Sequence, residues 1–174
     1  MRAASMDGIA RRAATGKSAL YRRWPNVHAL ALDLFITTLD ESLPSPEPNT
    51  GSLRGDLLAS LTVLRTQLDG DLGVILRELI SEAAHDTTLA QEFQLRFGLR
   101  KQTELVGLLQ HAMSRGEIPP HSIDPYLLQV PAALITHSLI LHGQCPSQAE
   151  LEHIIDAIVL PLLLNSPALT VSES

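Results

Sequence analysis

The chain has 174 residues, enough for one medium domain or for a small head on a larger body. Its 32 leucines outnumber 7 valines and 11 isoleucines, and only 3% of its residues are aromatic, a composition that favours helices over strands. The single cysteine, Cys145, excludes an intramolecular disulfide, and no apolar run reaches the roughly 18 residues that span a membrane. We therefore expect an all-α, cytoplasmic protein with no membrane partner and no cofactor.

The net charge of −6 is divided unevenly along the chain. Residues 1–30 carry a net charge of +5, whereas residues 31–174 carry −11. The basic side chains of the first part are Arg2, Arg11, Arg12, Lys17, Arg22 and Arg23. Binding of a polyanion by this basic head would explain the asymmetry, because arginines near phosphates release counterions. A solvated, charged helix face explains it equally well, so charge alone leaves both readings open.

Three helices are predicted before the clearest linker in the chain. Ser5 can cap a short first helix, and a second helix over residues 17–24 ends at Pro25, because proline disfavours a helical conformation in the residue before it. A third helix extends from there to about residue 42. Residues 43–52 contain three prolines and a glycine, which predicts a linker. The expected domains are therefore a head at 1–43 and a body at 52–174.

Leucine and isoleucine stripes predict a helical bundle in the body. Two helices are expected over residues 53–68 and 72–86. A long helix follows, capped by Thr87 or Thr88, and ends near Gly116, where a glycine can take the left-handed C-terminal position.

The last two predicted helices, over residues 124–143 and 147–165, are apolar over a wide arc. Pro131 should kink the first, Pro161 should bend or shorten the end of the second, and Ser147 should cap the second. Such helices must be buried, either inside a monomeric bundle or in a four-helix interface between two subunits. For the dimer, the expected interface residues are Leu134, Leu141, Leu151, Ile155, Ile158, Val159 and Leu162.

The segment from Ser5 to Leu30 has the pattern of two short helices joined by a tight turn. Such a pair can place its second helix in the major groove of DNA. Small and polar residues at the start of that helix allow close approach to base edges, and flanking donors can grip phosphates. The candidate DNA-binding residues are Ser5, Thr15, Gly16, Lys17, Ser18, Ala19, Tyr21, Arg22 and Arg23.

This segment resembles the DNA-binding signature of the TetR (tetracycline repressor) family of regulators. The matching pieces are Ile-Ala at 9–10, Gly-Lys-Ser at 16–18, Leu-Tyr-Arg-Arg-Trp-Pro at 20–25 and Ala-Leu at 29–30. The run Arg-Gly-Glu-Ile at 115–118 is similar to the C-terminal domain of many members. The resemblance implies a helix-turn-helix head in which Lys17, Ser18 and Ala19 face the groove and Tyr21 and Arg23 touch phosphates.

The sequence departs from the family pattern at four places near the head, one of which is Thr15 in place of the usual buried valine. The helix that usually precedes the motif is absent before Ser5, so the head is expected to be incomplete at its N-terminus. Ala14 stands where the family usually has glycine, and Val27 stands where a phosphate-binding lysine is common. If the backbone at Ala14 needs a positive φ, alanine costs up to about 1 kcal/mol there.

Polar side chains that interrupt apolar stretches of the body are candidates to line a ligand pocket: His85, Gln102, His111, Gln129, Thr136 and His137. Each of them taken alone is more often a hydrogen-bonded residue of a core or its rim. The leucine-rich surroundings favour a small apolar or amphipathic ligand.

We expect a ligand-responsive transcriptional regulator, a repressor that binds a palindromic double-stranded DNA operator as a homodimer. The alternative is a ligand-binding or interaction module whose degenerate head does not bind DNA. Enzymatic function has no support, because the sequence lacks a glycine-rich phosphate loop, a cysteine pair and two histidines spaced for a helical zinc site. No metal site is expected.

Overall fold

The computed structural model describes residues 5–42, 48–119, 124 and 126–165, with the side chains of residues 42 and 99–102 outside this description. Every regular element in these ranges is helical, which confirms the all-α class. In chain order the α-helices are α1 (Met6–Arg12), α2 (Lys17–Arg23), α3 (Val27–Ser42), α4 (Leu53–Leu68), α5 (Asp71–Ala83), α6 (Thr87–Phe93), α7 (Leu99–Ser114), α8 (Val130–His142), α9 (Gln148–Ile154) and α10 (Leu160–Leu164).

Two π-helical segments and one 3₁₀ turn complete the fold within the described ranges. The segment Gln94–Gly98 joins α6 to α7, and Ile155–Val159 joins α9 to α10. The 3₁₀ turn Leu127–Gln129 leads into α8. The long helix and the last helix predicted from the sequence are therefore each two α-helices with a π-helical segment between them. Among the described residues, no helix combines the length and apolar character that crossing a bilayer requires.

Serine and aspartate side chains cap the N-terminal ends of several helices. Ser5 caps α1 and Ser147 caps α9, as predicted, because each side-chain oxygen accepts a hydrogen bond from a backbone N–H of the first turn. Helix α6 is capped by Asp86, whose Oδ1 accepts from two backbone N–H groups at 2.9 and 3.1 Å. The prediction of Thr87 or Thr88 as this cap is therefore wrong.

Prolines act at helix starts rather than inside helices. Pro131 lies in the first turn of α8, where its missing N–H has no intrahelical partner to lose. The predicted kink inside that helix is therefore wrong. Pro161 lies in the first turn of α10, directly after the π-helical segment Ile155–Val159. Proline removes a hydrogen bond to the residue four positions earlier, and the wider π ladder accommodates this loss without a break.

Two apolar clusters form the interior. We call the smaller one the head cluster; its buried residues are Met6, Ala10 and Leu20, with Ile9, Trp24, Val27 and Leu30 packed against them. The larger one, the body core, contains buried residues from α3 and from every later helix. Helix α3 belongs to both, because its first turn meets the head cluster while Leu32, Phe35 and Leu39 have no exposed surface in the body core. It therefore connects the head to the body.

The residues predicted for a dimer interface divide into three groups by exposure. Three of them are at most 2% exposed and lie in the body core: Leu151, Ile155 and Val159. The prediction is wrong for these three, because a side chain buried within one protomer cannot contact a second copy. Leu134 is half-buried, and the remaining ones stay exposed: Leu141, Ile158 and Leu162.

Candidate nucleic-acid interface and ligand cavity

The turn between α1 and α2 depends on Ala14. Its φ of 50° lies in the left-handed region, which favours glycine, so the backbone does require a positive φ at this position. The backbone N–H of Thr15 donates to the carbonyl of Ala10 at 3.0 Å and closes the turn. Gly16 precedes α2 and offers no side-chain hydrogen bond to the first backbone N–H groups of that helix.

Helix α2 is attached to the head by one face only. Leu20 is 8% exposed and packs into the head cluster. The predicted groove and phosphate residues all lie on the exposed remainder of the turn and helix: Thr15, Gly16, Lys17, Ser18, Ala19, Tyr21, Arg22 and Arg23. This exposed set is available to an external surface. Ser5 is exposed at the start of α1, where its Oγ accepts a hydrogen bond from the backbone N–H of Gly8 at 3.2 Å.

Lys17 is held in place by an acidic neighbour. Its Nζ lies 2.6 Å from Oδ2 of Asp7, and both side chains are more than half exposed. The hydrogen bond to Asp7 raises the pKa of Lys17 above its ordinary value of 10.5, so the ammonium keeps its charge. Asp7 therefore orients the cation at the N-terminal end of α2.

The end of α2 is fixed to α3 by Trp24. The indole Nε1 donates a hydrogen bond to Asp33 Oδ2 at 3.1 Å, and the Arg23 guanidinium lies 4.6 Å from the centre of the indole ring. Asn26 Oδ1 accepts from the backbone N–H of Ala29 at 2.8 Å and caps the start of α3. These contacts fix the C-terminal end of α2 to α3.

An open cavity of about 420 Å³ lies in the body between α5, the region of the π-helical segment Gln94–Gly98, and α8. Its walls are mostly apolar, and the lining residues are Ile80, Phe93, Gln94, Phe97, Gly98, Leu128, Gln129, Ala132, Ala133, Thr136, His137 and Ile140. The rings of Phe93 and Phe97 lie 5.1 Å apart, and Phe97 also contacts Phe35 of α3 at 5.4 Å between centroids. Concave apolar sites of this size with few polar groups are typical of small-molecule binding.

Three of the six predicted ligand residues line this cavity: Gln129, Thr136 and His137. His85 is exposed in the turn after α5, and His111 lies in the last turn of α7; neither is among the described lining residues. The prediction that these two line the pocket is therefore wrong for this cavity. The side chain of Gln102 lies outside the described residues. Sequence reasoning missed Gln94, because it lies among polar and charged residues and so does not interrupt an apolar stretch.

Cys145 is not available as a nucleophile. Its side chain is buried, and burial, with Asp69 nearby, raises the pKa of the thiol to about 11. The thiol therefore stays protonated at neutral pH.

Comparison with known proteins identifies the family. The sequence model described as "Tetracyclin repressor-like, C-terminal domain" matches residues 47–158. The chain is 34% identical to the HTH-type transcriptional regulator YdeS of Bacillus subtilis, over 94% of this chain and 78% of that protein. It is 28% identical to the DNA-binding transcriptional repressor TetR of Mycobacteroides abscessus, over 91% of this chain and 83% of that protein.

A solved structure shows the same fold. The TetR family transcription regulator SCO0332 superimposes with a TM-score of 0.75 and 27% identity, covering 91% of this chain and 86% of that one. The family match covers the body, and the relative named an HTH-type regulator agrees with a helix-turn-helix head. The chain is a transcriptional regulator, not an enzyme, and it belongs to the TetR family.

Proposed function

We propose that this regulator is a ligand-responsive repressor that binds a palindromic DNA operator as a homodimer. Residues 1–43 would form the DNA-binding head, and residues 52–174 the ligand-binding and dimerisation body. The observation that carries the proposal is the exposed, basic outer face of α2 on a head whose apolar residues are turned inward. The M. abscessus relative is named a DNA-binding transcriptional repressor, which supports repression.

The two ends of α2 have different roles in this proposal. Lys17, Ser18 and Ala19 at its start enter the major groove, where small side chains let the backbone approach base edges. Tyr21 and Arg23 contact phosphates, which fix the register of the protein on the duplex. The start of α2 therefore contacts bases, and the later part of the same helix contacts phosphates.

A second copy of the chain supplies the second head. Large apolar side chains are exposed on α8, on Ile155–Val159 and on α10, at 66% for Leu141, 36% for Ile158 and 40% for Leu162. Helix α8 packs against the segment Ile155–Val159, so these side chains come from neighbouring elements. Pairing this face with its symmetry mate would bury the apolar surface and match a two-fold operator.

The cavity is the proposed ligand site. Its aliphatic and aromatic walls suit an apolar or amphipathic molecule, and Gln129, Thr136 and His137 offer hydrogen bonds that orient it. Ligand binding to the body would change the separation of the two heads and so shift the population that fits DNA.

Selection of bound duplexes from a random pool tests the DNA-binding part. The chain should enrich an inverted repeat, and Tyr21→Phe should weaken binding similarly on all duplexes because it removes a phosphate contact. Lys17→Ala should in addition change which duplexes are enriched. Equal behaviour of the two variants would contradict the proposed division of α2.

Failure to enrich any duplex would favour the alternative, a ligand-binding module whose head does not bind DNA. Val27 favours this alternative, because it stands where a phosphate-binding lysine is common and is half-buried against the head cluster.

Titration with N-phenyl-1-naphthylamine, a neutral apolar fluorophore, tests the cavity. The fluorescence should rise on binding, and Ala133→Phe, which fills the cavity, should abolish the rise. Ala149→Phe provides the control, because Ala149 is exposed on α9 and is not among the lining residues. Equal binding by both variants would place the probe elsewhere and contradict the ligand site.

A further inference from the structure

Asp33 on α3 lies between two arginines from different parts of the molecule. Its Oδ1 accepts a hydrogen bond from Arg96 Nη2 at 2.8 Å, and its Oδ2 lies 3.4 Å from Nη2 of Arg23. Oδ2 also accepts the hydrogen bond from Trp24 Nε1, which fixes the orientation of the carboxylate. Head and body therefore share one carboxylate.

The two arginines hold Asp33 unequally. Hydrogen bonds between ionised groups are typically about 2.7–2.9 Å long, a range that includes the contact of Arg96 and excludes that of Arg23. The hydrogen bond from Arg96 is the main reason why the pKa of Asp33 lies below its ordinary value. The Arg23 side chain is 71% exposed against 38% for Arg96. Arg96 thus neutralises the carboxylate, and the contact between Arg23 and Asp33 is weak.

Arg96 lies beside the wall of the cavity. Arg96 belongs to the π-helical segment Gln94–Gly98, and its neighbours Gln94 and Phe97 line the cavity. The ring of Phe97 also packs on Phe35, two residues after Asp33 on α3. π-Helical segments are frequent at functional sites, because they shift the side chains that follow around the helix axis.

We propose that Arg96 is a positioning residue for DNA binding: by neutralising Asp33, it keeps the Arg23 guanidinium available for a DNA phosphate. Removal of Arg96 leaves Arg23 as the arginine partner of Asp33 among the described residues. The carboxylate then draws the guanidinium towards the protein and away from DNA. This inference rests on the proposed DNA-binding function and adds to it a residue that lies outside the head.

The experiment measures binding of the full chain to a duplex that the unaltered chain has recovered from the random pool. Arg96→Ala should weaken binding roughly tenfold for each protomer, and so roughly a hundredfold for a homodimer, as expected for the loss of one charge-assisted hydrogen bond to phosphate per protomer. Arg96→Lys keeps a charged donor and should restore most of the affinity. Arg54→Ala is the matched control. Arg54 also pairs with an aspartate, Asp156 at 2.7 Å, but this aspartate lies in the body and has no contact with Arg23 among the described residues.

Two further backgrounds separate positioning from a merely structural role. In an Arg23→Ala chain, Arg96→Ala should have no further effect, because no guanidinium remains to be captured. In an Asp33→Asn chain, Arg96→Ala should again leave the affinity for DNA unchanged, because residue 33 no longer carries the negative charge that attracts Arg23. Arg96→Ala alone should also flatten the slope of log affinity against log salt by about 0.9 per protomer, while Arg54→Ala leaves the slope unchanged.

The outcomes separate this inference from the proposed function. A chain that binds no duplex contradicts DNA binding itself. A chain that binds, but in which Arg96→Ala has no larger effect than Arg54→Ala, contradicts the role of Arg96. Persistence of the Arg96→Ala effect in the Arg23→Ala background also overturns it, since the effect would then not pass through Arg23. Circular dichroism of each variant checks that its helical content is unchanged; a loss of binding that Arg96→Lys does not restore contradicts positioning.

Discussion

Arg115 Nη2 lies 2.8 Å from Oδ2 of Asp56, a carboxylate with no exposed surface at the start of α4. The same guanidinium donates to Glu117 Oε1 at 2.6 Å, and Glu117 Oε2 accepts from the backbone N–H of Leu53 at 2.7 Å. The turn after α7 is thereby bound to the first turn of α4. These contacts explain the Arg-Gly-Glu-Ile run at 115–118. Its two charged side chains hold the turn to α4, its glycine has a φ of 76°, and its isoleucine is buried.

Arg115→Ala should lower the free energy of unfolding by about 3 kcal/mol, because it leaves the buried Asp56 carboxylate without its guanidinium. Arg54→Ala removes an exposed ion pair with Asp156 and should cost at most about 1 kcal/mol. Urea unfolding followed by circular dichroism measures both variants. Equal losses would show that the buried pair has no special weight in the fold.

Acid should weaken the same clamp. Burial alone would raise the pKa of Asp56, but hydrogen bonds from Thr50 and Arg115 outweigh burial and leave the pKa below its ordinary value of 3.8. A carboxylate with a lowered pKa in the folded state contributes stability above pH 3.8, and this contribution is lost as pH falls through the lower, folded value. Unfolding free energy should therefore decline below about pH 4. Asp56→Asn should be less stable at neutral pH and show a shallower decline; an unchanged pH profile would contradict this assignment.

Ala14→Gly should stabilise the chain by roughly 0.5–1 kcal/mol, because a left-handed φ strains alanine and not glycine. Ala13→Gly is the control, since φ at Ala13 is −79° and glycine there relieves no strain. Urea unfolding monitored by the emission of Trp24, the single tryptophan of the chain, reports on the head. A loss of stability in Ala14→Gly would show that the turn does not strain alanine.

Ile158→Glu and Leu162→Glu should convert a dimer into monomers, because each places a carboxylate on the exposed apolar face. Leu95→Glu is the control, since Leu95 is equally apolar and 62% exposed but lies in the π-helical segment near the cavity. Sedimentation velocity gives the oligomeric state. An unchanged sedimentation coefficient in the Ile158 and Leu162 variants would show that this face is not the dimer interface.

The sequence predicts the head better than the body. Ser5, Gly16 and Pro25 mark helix starts and ends through local hydrogen bonding and backbone restrictions, so α1, α2 and α3 begin and end close to the predicted positions. The π-helical segments were not predictable, because one extra residue per turn leaves an apolar stripe almost unchanged over five residues.

The interface residues show where such stripes become ambiguous. Residues 147–165 are apolar on most sides, and periodicity does not say which side faces the protomer core. The π-helical segment then rotates the residues after Ile154 relative to a regular helix, so that Ile155 and Val159 point inward and Ile158 points outward. For the cavity, Thr136 and His137 were detectable as polar residues in an apolar helix, whereas Phe93 and Phe97 looked like ordinary core residues.

The salt dependence of binding to a duplex recovered by the chain tests most directly whether residues 5–30 grip DNA. Log affinity should fall linearly as log salt rises, with a slope of about −1.8 or steeper, because Arg23 of each of two protomers neutralises one phosphate. Tyr21→Phe should weaken binding without moving this slope, and Arg23→Ala should flatten it. Binding that does not respond to salt, or that survives Arg23→Ala with the slope unchanged, would contradict a DNA-gripping face on α2.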